Sequence, residues 1–290
     1  MKLKLEELKK VCVVGGGQMG KQIALCAAMH GFDTWITDTL PQVTEKLQPW
    51  ATEYLAGRVA KGKLTEEQSK AAAALFHVAA SLEEAAADAD LVIEAILEDM
   101  KIKEEFFRTL NGLVRKDTII ATNSSFMTSS TFKDYIDNPA RLANLHYFNP
   151  ALVMKLVEVV QGPHTSQETV DTLLAFGKAN GKTPIWVKRE IEGFIANRIA
   201  KAVSTEAFWL AEQGYATPQD IDTAVENGLN YPMGPFKLLD FAGIDIGYNT
   251  RKREYEATGK KPVGFDLLEE KVKAGELGRK TGKGFYDYSK

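Results

Sequence analysis

Seven short apolar runs punctuate the first two thirds of the chain, at residues 11–14, 34–37, 91–93, 118–121, 142–145, 156–160 and 184–187. Stretches of helical periodicity separate most of them. Near-continuous apolar strands divided by helices are how a parallel sheet covered on both faces is written in sequence, so this half is predicted to be α/β. Residues 23–29, closed by Gly31, form an amphipathic helix after the first strand. Residues 44–87 are alanine-rich and charged, and Thr65-Glu66-Glu67-Gln68 is a capping box. They predict a helical excursion longer than a simple crossover, projecting from the sheet. Residues 99–110 place Ile102, Phe106 and Leu110 at helical spacing, leaving Lys101, Glu104 and Glu105 on other faces. After Val187 the strand pattern stops. Residues 193–213 read as one long helix, Thr217-Pro218-Gln219-Asp220 as a capped helix start, and residues 235–241 as a short helix. Lys188-Arg189-Glu190 interrupts the apolar pattern, so the division is expected there, into residues 1–187 and a smaller all-α domain of residues 188–290.

A length of 290 residues supports two domains, each able to fold without metal or disulfide. Hydrophobic residues make up 44% of the chain. No apolar run approaches the ~18 residues that span a bilayer, which excludes a membrane segment. Residues 1–10 are charged and offer no apolar core for a signal peptide, so a cytoplasmic location is expected. Cys12 and Cys26, the only cysteines, fall at positions expected to be buried and lack metal-type neighbours. They read as core thiols, and no metal site is expected. A net charge of -3 exerts no long-range pull on nucleic acid or anionic membrane, so neither is an expected partner.

Chemistry enters at Gly15-Gly16-Gly17-Gln18-Met19-Gly20, directly after the first strand. Gly15 suits a tight turn, Gly17 a close approach of phosphate to bare backbone, and Gly20 the packing of helix on strand. Asp38 ends the second strand eighteen residues beyond Gly20, where it reaches a ribose 2′-hydroxyl. Together these features predict a Rossmann-type doubly wound sheet binding a dinucleotide. Thr39, not a basic residue, follows Asp38, so NAD is preferred over NADP. Lys21 is either a further pyrophosphate contact or a solvated helix residue. Four polar residues then stand out: Ser125 and His146 after apolar runs, Glu158 within one, and Asn197 near the start of the long helix. A carboxylate between Val157 and Val159 is costly to bury unless paired, and an imidazole suits it. The other readings of Glu158 are a structural ion pair and a solvent-facing strand position.

With these residues on the page, the chain resembles the L-3-hydroxyacyl-CoA dehydrogenases, and among them the compact bacterial 3-hydroxybutyryl-CoA dehydrogenases. The likeness rests on GGGQMG at 15–20, VIEAILED at 92–99, ATNSS at 121–125, HYFNPALVMKLVEVV at 146–160, GFIANR at 193–198, YPMGPFKLLDFAGID at 231–245 and GRKTGKGFYDY at 278–288. It implies that His146 and Glu158 are the catalytic pair and that Ser125 and Asn197 contact the reacting oxygen or the thioester. It also implies that Glu98 and Lys103 lie near the nicotinamide end, with Gln18, Met19 and Asn123 among the cofactor contacts. A helical second domain forming a homodimer follows from the same likeness, and Phe208, Trp209 and Phe241 read either as its apolar face or as core residues. The chain departs from the family at Phe126, where a hydroxyl is usual, and at Tyr147, where phenylalanine is commoner. A one-residue shift of the loop makes Ser124 the functional serine in place of Ser125.

The activity so implied is the NAD-dependent interconversion of L-3-hydroxyacyl-CoA and 3-oxoacyl-CoA. His146 is the general acid/base, because a secondary alcohol gives up hydride only as its proton leaves. Coenzyme A carries phosphates that call for exposed cations away from the chemistry, and Arg58, Lys61 and Lys63 on the helical excursion either meet them or form a solvated basic helix end. Related NAD-dependent dehydrogenases of carnitine or sugar acids, and a catalytically silent NAD-binding sensor, are the competing readings.

Overall fold

The structure, a computed structural model, describes residues 5–289; the first four residues of the charged leading segment lie outside them. The chain divides into two compact units, Met1–Phe194 and Ile195–Lys290. In the first, eight strands occur: β1 (Lys10–Val14), β2 (Asp33–Thr37), β3 (Phe76–Val78), β4 (Leu91–Glu94), β5 (Ile119–Thr122), β6 (Leu142–Tyr147), β7 (Leu156–Val160) and β8 (Thr183–Val187). Six helices lie between them: α1 (Gln18–Met29), α2 (Pro41–Ala60), α3 (Glu66–Ala74), α4 (Leu82–Ala86), α5 (Met100–Leu113) and α6 (Gln167–Ala179). The strands form one sheet in the order β3-β2-β1-β4-β5-β6-β7-β8. Because the order reverses between β1 and β4, a crevice opens at their carboxyl ends.

Two apolar layers cover the sheet. Val11, Val13, Ile36, Leu91, Ile93, Leu145, Val157 and Val159 pack with Ile23 and Leu25 of α1 and with Leu173 and Phe176 of α6. On the other face Cys12, Val92, Ile120 and Leu142 pack with Ala85 of α4 and Phe107 and Leu110 of α5. The α/β architecture with helices on both faces is therefore the observed one.

Three local expectations are corrected. The sheet is not wholly parallel, for β6 and β7 pair antiparallel. Residues 148–155 join them without a helix, and a parallel return needs a crossover of about a dozen residues. The excursion of residues 44–87 is not all helix either. It holds α2, α3 and α4, but also edge strand β3, parallel to β2, whose three residues are too few to show a period. Finally, α5 buries Lys103, Phe107 and Leu110, while Ile102 is 43% exposed. The periodicity of Ile102, Phe106 and Leu110 misses this because the buried face contains a lysine.

The second unit is helical: α7 (Ala196–Glu212), α8 (Pro218–Gly228), α9 (Pro235–Ala242), α10 (Ile244–Thr258) and α11 (Phe265–Lys273). Helix α7 starts at Ala196 and not at Gly193, because Gly193 and Phe194 adopt φ of 74° and 48°. The left-handed backbone there cannot continue a helix. Phe208 belongs to an interior with Phe236, Leu268 and Phe285, which removes it from the exposed candidates, whereas Trp209 is 39% and Phe241 61% exposed. Two buried carboxylates tie this unit together. Asp222 accepts hydrogen bonds from Phe236 N and Lys237 N at the start of α9 and from the Tyr286 hydroxyl. Asp240 accepts from Phe285 N, Tyr286 N and the Tyr288 hydroxyl. Among the described residues no helix is long and apolar enough to cross a membrane.

Candidate active site

The turn after β1 is closed by contacts that only glycine permits. Gly15 has φ 105°, and a Cβ on it would meet Ala95 O at 2.4 Å; one on Gly20 would meet Gly15 O at 1.8 Å. Gly17, in contrast, faces open space. Its exposed backbone and that of Gln18 lead into α1, whose free N–H groups carry partial positive charge. Met19 packs half-buried against the sheet interior. At the end of β2, Asp38 accepts hydrogen bonds from Gly16 N (2.7 Å) and Leu40 N (2.9 Å), so its carboxylate is fixed beside the glycine turn. Bare N–H groups for a pyrophosphate and a carboxylate for a ribose hydroxyl fit a dinucleotide. The ammonium of Lys21 lies 4.8 Å from the centre of the Trp50 ring.

Across β6 and β7 the antiparallel register sets His146 directly opposite Glu158. Their side chains share a face of the sheet, and His146 Nδ1 lies 2.8 Å from Glu158 Oε2. Both are buried, at 3% and 0% exposure. The other ring nitrogen, Nε2, lies 2.8 Å from Ser125 Oγ. Phe148 and Phe194 meet the imidazole edge-on, with centroids 4.6 and 5.3 Å away. A proton on Nδ1 shared with the carboxylate leaves Nε2 as the basic atom, in a setting of low dielectric.

A second polar group lies on the same sheet face. Glu94, Thr122 and Asn144 are register partners across β4, β5 and β6, and all three are fully buried. Glu94 receives hydrogen bonds from Lys103 Nζ (2.6 Å), Thr122 Oγ1 (2.6 Å) and Ile96 N (2.8 Å). Lys103 also reaches Glu98 at 3.1 Å, and the Ser124 hydroxyl donates to Glu98. Asn144 holds the serine loop, accepting from Ser129 N (2.7 Å) and donating to Met127 O (3.0 Å). Asn123 Oδ1 accepts from Tyr147 N at 2.9 Å. Sequence reasoning passed over Glu94, Thr122 and Asn144. The signal was the one that marked Glu158, a polar residue inside an apolar strand.

Asn197 belongs to the second unit, in the first turn of α7. Arg58 and Lys61 line a cleft on α2 with Trp50, Glu53, Tyr54 and Gly57, and Arg58 Nε is buried without a hydrogen-bond partner. Lys63 is exposed just beyond that helix. Among the described residues no group of three or more His, Cys, Asp or Glu is placed to hold a metal.

Comparison with known proteins matches both parts of the chain. Residues 10–191 match the NAD binding domain of 3-hydroxyacyl-CoA dehydrogenase, and residues 193–288 its C-terminal domain. The chain is 38% identical to a probable 3-hydroxybutyryl-CoA dehydrogenase of Bacillus subtilis, over 97% of this chain and 98% of that one. It is 38% identical to the mitochondrial hydroxyacyl-coenzyme A dehydrogenase of Homo sapiens, over 97% and 91%. A crystal structure of 3-hydroxybutyryl-CoA dehydrogenase from Escherichia coli superposes with a TM-score of 0.89 at 35% identity; the match covers 98% of this chain but only 60% of that longer one. With both family domains matched in order along nearly its full length, the chain belongs to the 3-hydroxyacyl-CoA dehydrogenase family.

Proposed function

We propose that this protein is an NAD-dependent dehydrogenase that interconverts an L-3-hydroxyacyl-CoA and its 3-oxoacyl-CoA, with 3-hydroxybutyryl-CoA and acetoacetyl-CoA as the pair. The observation that carries the reading is the His146 ring held between Glu158 and Ser125. Bound at this site, the cofactor would supply hydride acceptance at the substrate carbon as NAD⁺ and hydride donation there as NADH. Gly15, Gly17, Gln18, Met19, Gly20 and Asp38 would hold its pyrophosphate and adenosine ribose, and Glu98, Lys103 and Asn123 its nicotinamide end. His146 Nε2 accepts the C3 hydroxyl proton in oxidation and gives it back in reduction. Glu158 keeps the ring in the reactive tautomer and stabilises its protonated form. Ser125 and Asn197 supply neutral hydrogen bonds to the reacting oxygen or thioester, aligning it and offsetting its developing charge.

Residues 1–187 serve the cofactor in this reading, and residues 188–290 the substrate and the subunit contact. Arg58, Lys61 and Lys63 meet the coenzyme A phosphates; the cleft at Arg58 and Lys61, with its aromatic floor, supports this assignment. Exposed Trp209, Tyr215, Leu229 and Phe241 in the helical unit support a homodimer, which light scattering tests. Two free, buried thiols suit a reducing compartment, and we assign the protein to the cytoplasm and to butyrate or fatty-acid metabolism.

The deciding assay follows NADH oxidation with acetoacetyl-CoA, free acetoacetate and dehydrocarnitine. Turnover is expected with the thioester alone, and His146→Gln lowers kcat by at least about 10²-fold with NADH affinity retained. Turnover with a free acid, or a kcat within about threefold of wild type in the variant, overturns the assignment.

A further inference from the structure

We propose that Ser124 is a positioning residue that couples the cofactor side of the crevice to the catalytic serine, so that acyl-CoA binds more tightly once NAD is in place. The inference rests on the reading that Glu98 and Lys103 face the cofactor.

The loop after β4 lies against the glycine turn, where a Cβ on Gly15 would meet Ala95 O at 2.4 Å. Glu98 is on that loop. In the cluster it forms with Lys103, Glu94 and Ser124 it is the one side chain open to solvent, 38% exposed, while Lys103 is 1% and Glu94 0% exposed. Ser124 is 5% exposed, so a ligand in the crevice reaches the cluster through Glu98.

The Ser124 hydroxyl uses its whole bonding capacity. It donates to Glu98 and accepts from Phe126 N (3.3 Å) and Met127 N (2.8 Å). Those two N–H groups close the turn that presents Ser125 Oγ to His146 Nε2 at 2.8 Å. From the other side, Ser124 N donates to Thr122 Oγ1 (3.1 Å), and Thr122 donates to Glu94. A single hydroxyl thus joins a carboxylate of the cofactor face to the backbone that sets the catalytic serine. While no cofactor covers Glu98, water competes with Ser124 for its carboxylate and weakens the hold on the turn. A cofactor lying over Glu98 excludes that water and strengthens the bond to Ser124. The turn is then ordered before substrate arrives, and the second ligand bears less of the ordering cost.

The test is calorimetric binding of acetoacetyl-CoA with and without saturating NAD⁺, a pair that cannot react. In the wild type NAD⁺ is expected to lower the acetoacetyl-CoA Kd at least about fivefold. In Ser124→Ala the ratio falls to about one, and in Ser124→Thr, which keeps the hydroxyl, it returns. A merely structural serine weakens acetoacetyl-CoA equally in both titrations and leaves the ratio unchanged. An unchanged ratio in Ser124→Ala, or no NAD⁺ effect in the wild type, overturns the coupling. Glu98→Ala separates this from failure of the cofactor reading. Undiminished NAD⁺ affinity in that variant removes the placement of the cofactor itself, whereas weakened NAD⁺ binding with the ratio intact in Ser124→Ala removes the coupling alone.

Discussion

Ser124 and Ser125 are neighbours in the chain, yet their hydroxyls serve different groups: Ser125 Oγ lies 2.8 Å from His146 Nε2, whereas Ser124 donates to Glu98 across the loop. The backbone turn between them divides the work, and in the proposed mechanism Ser125, which meets the imidazole, is the serine that faces the reacting oxygen. Ser125→Ala is therefore expected to lower kcat by about 10²-fold, the usual worth of one donor aimed at developing oxyanion charge. NADH affinity, followed by its fluorescence, stays at the wild-type value. A variant that loses NADH binding and keeps kcat contradicts the division.

The cleft on α2 gives a separate prediction for the tail of the substrate. Lys61 and Lys63 are exposed, so each contributes modestly to holding a phosphate. Replacing both by alanine raises KM for acetoacetyl-CoA by about threefold to tenfold. KM for NADH is spared. Steady-state kinetics with each substrate varied in turn checks both halves, and unchanged acyl-CoA kinetics rejects the contact.

Much of this site was legible in the chain because its parts obey local rules. The glycine spacing before α1, Asp38 at the end of β2, and the cap of Thr217 on Asp220 N each follow from backbone geometry over a few residues. Glu158 was legible for another reason, as a charge in an apolar strand that demands a partner. What decided the partner was not local. The antiparallel return from β6 to β7 sets His146 against Glu158, and no periodicity announces a strand's direction. The burial of Lys103 was not legible in hydrophobic spacing. Hydrophobic spacing assigns a lysine to the solvent face, and its burial rests on Glu94, which is distant in pattern and adjacent only in the fold.

That ion pair makes a strong prediction about stability. Lys103 and Glu94 are both essentially inaccessible, so removing one partner strands the other charge in the interior. Lys103→Met is expected to cost about 3–5 kcal/mol, since among the described residues only Thr122 and Ile96 N are left as donors to Glu94. Glu94→Gln combined with Lys103→Met should recover part of that loss. A double-mutant cycle by denaturant unfolding checks the coupling, and additive losses refute it.

Asp90 governs a pH dependence at the opposite end of the strands. Burial alone pushes its carboxyl up, but hydrogen bonds from Lys10 N and Lys9 N, with the Arg115 guanidinium at 2.7 Å, outweigh burial and hold it below the usual carboxylate value. The unfolded chain therefore binds this proton more readily than the folded one. The contribution to stability is complete above about pH 5 and is lost as pH falls through the folded value, below the ordinary carboxylate range. Asp90→Asn should be less stable than wild type at neutral pH, with the gap narrowing on acidification. Urea unfolding across that range measures it, and a gap that stays constant contradicts the assignment.

Asp240 carries the corresponding burden in the helical unit, where the segment from Gly278 to Tyr288 folds over its carboxylate. A Cβ on Gly284 would sit 2.1 Å from Asp240 Oδ1, and one on Gly278 2.2 Å from Asp240 O. Gly278 and Gly284 are thus required by their close approach to Asp240, whereas Gly282 meets nothing and is set by its φ of 76°. Asp240→Ala leaves Phe285 N, Tyr286 N and the Tyr288 hydroxyl without their acceptor and is expected to cost about 3 kcal/mol or more. Gly284→Ala should act similarly by forcing the carboxylate aside. Both variants are expected to expose the C-terminal segment to limited proteolysis while NADH affinity holds, because the glycine turn and Asp38 lie in the other unit. Wild-type resistance to protease in both would mean that this carboxylate does not anchor the segment.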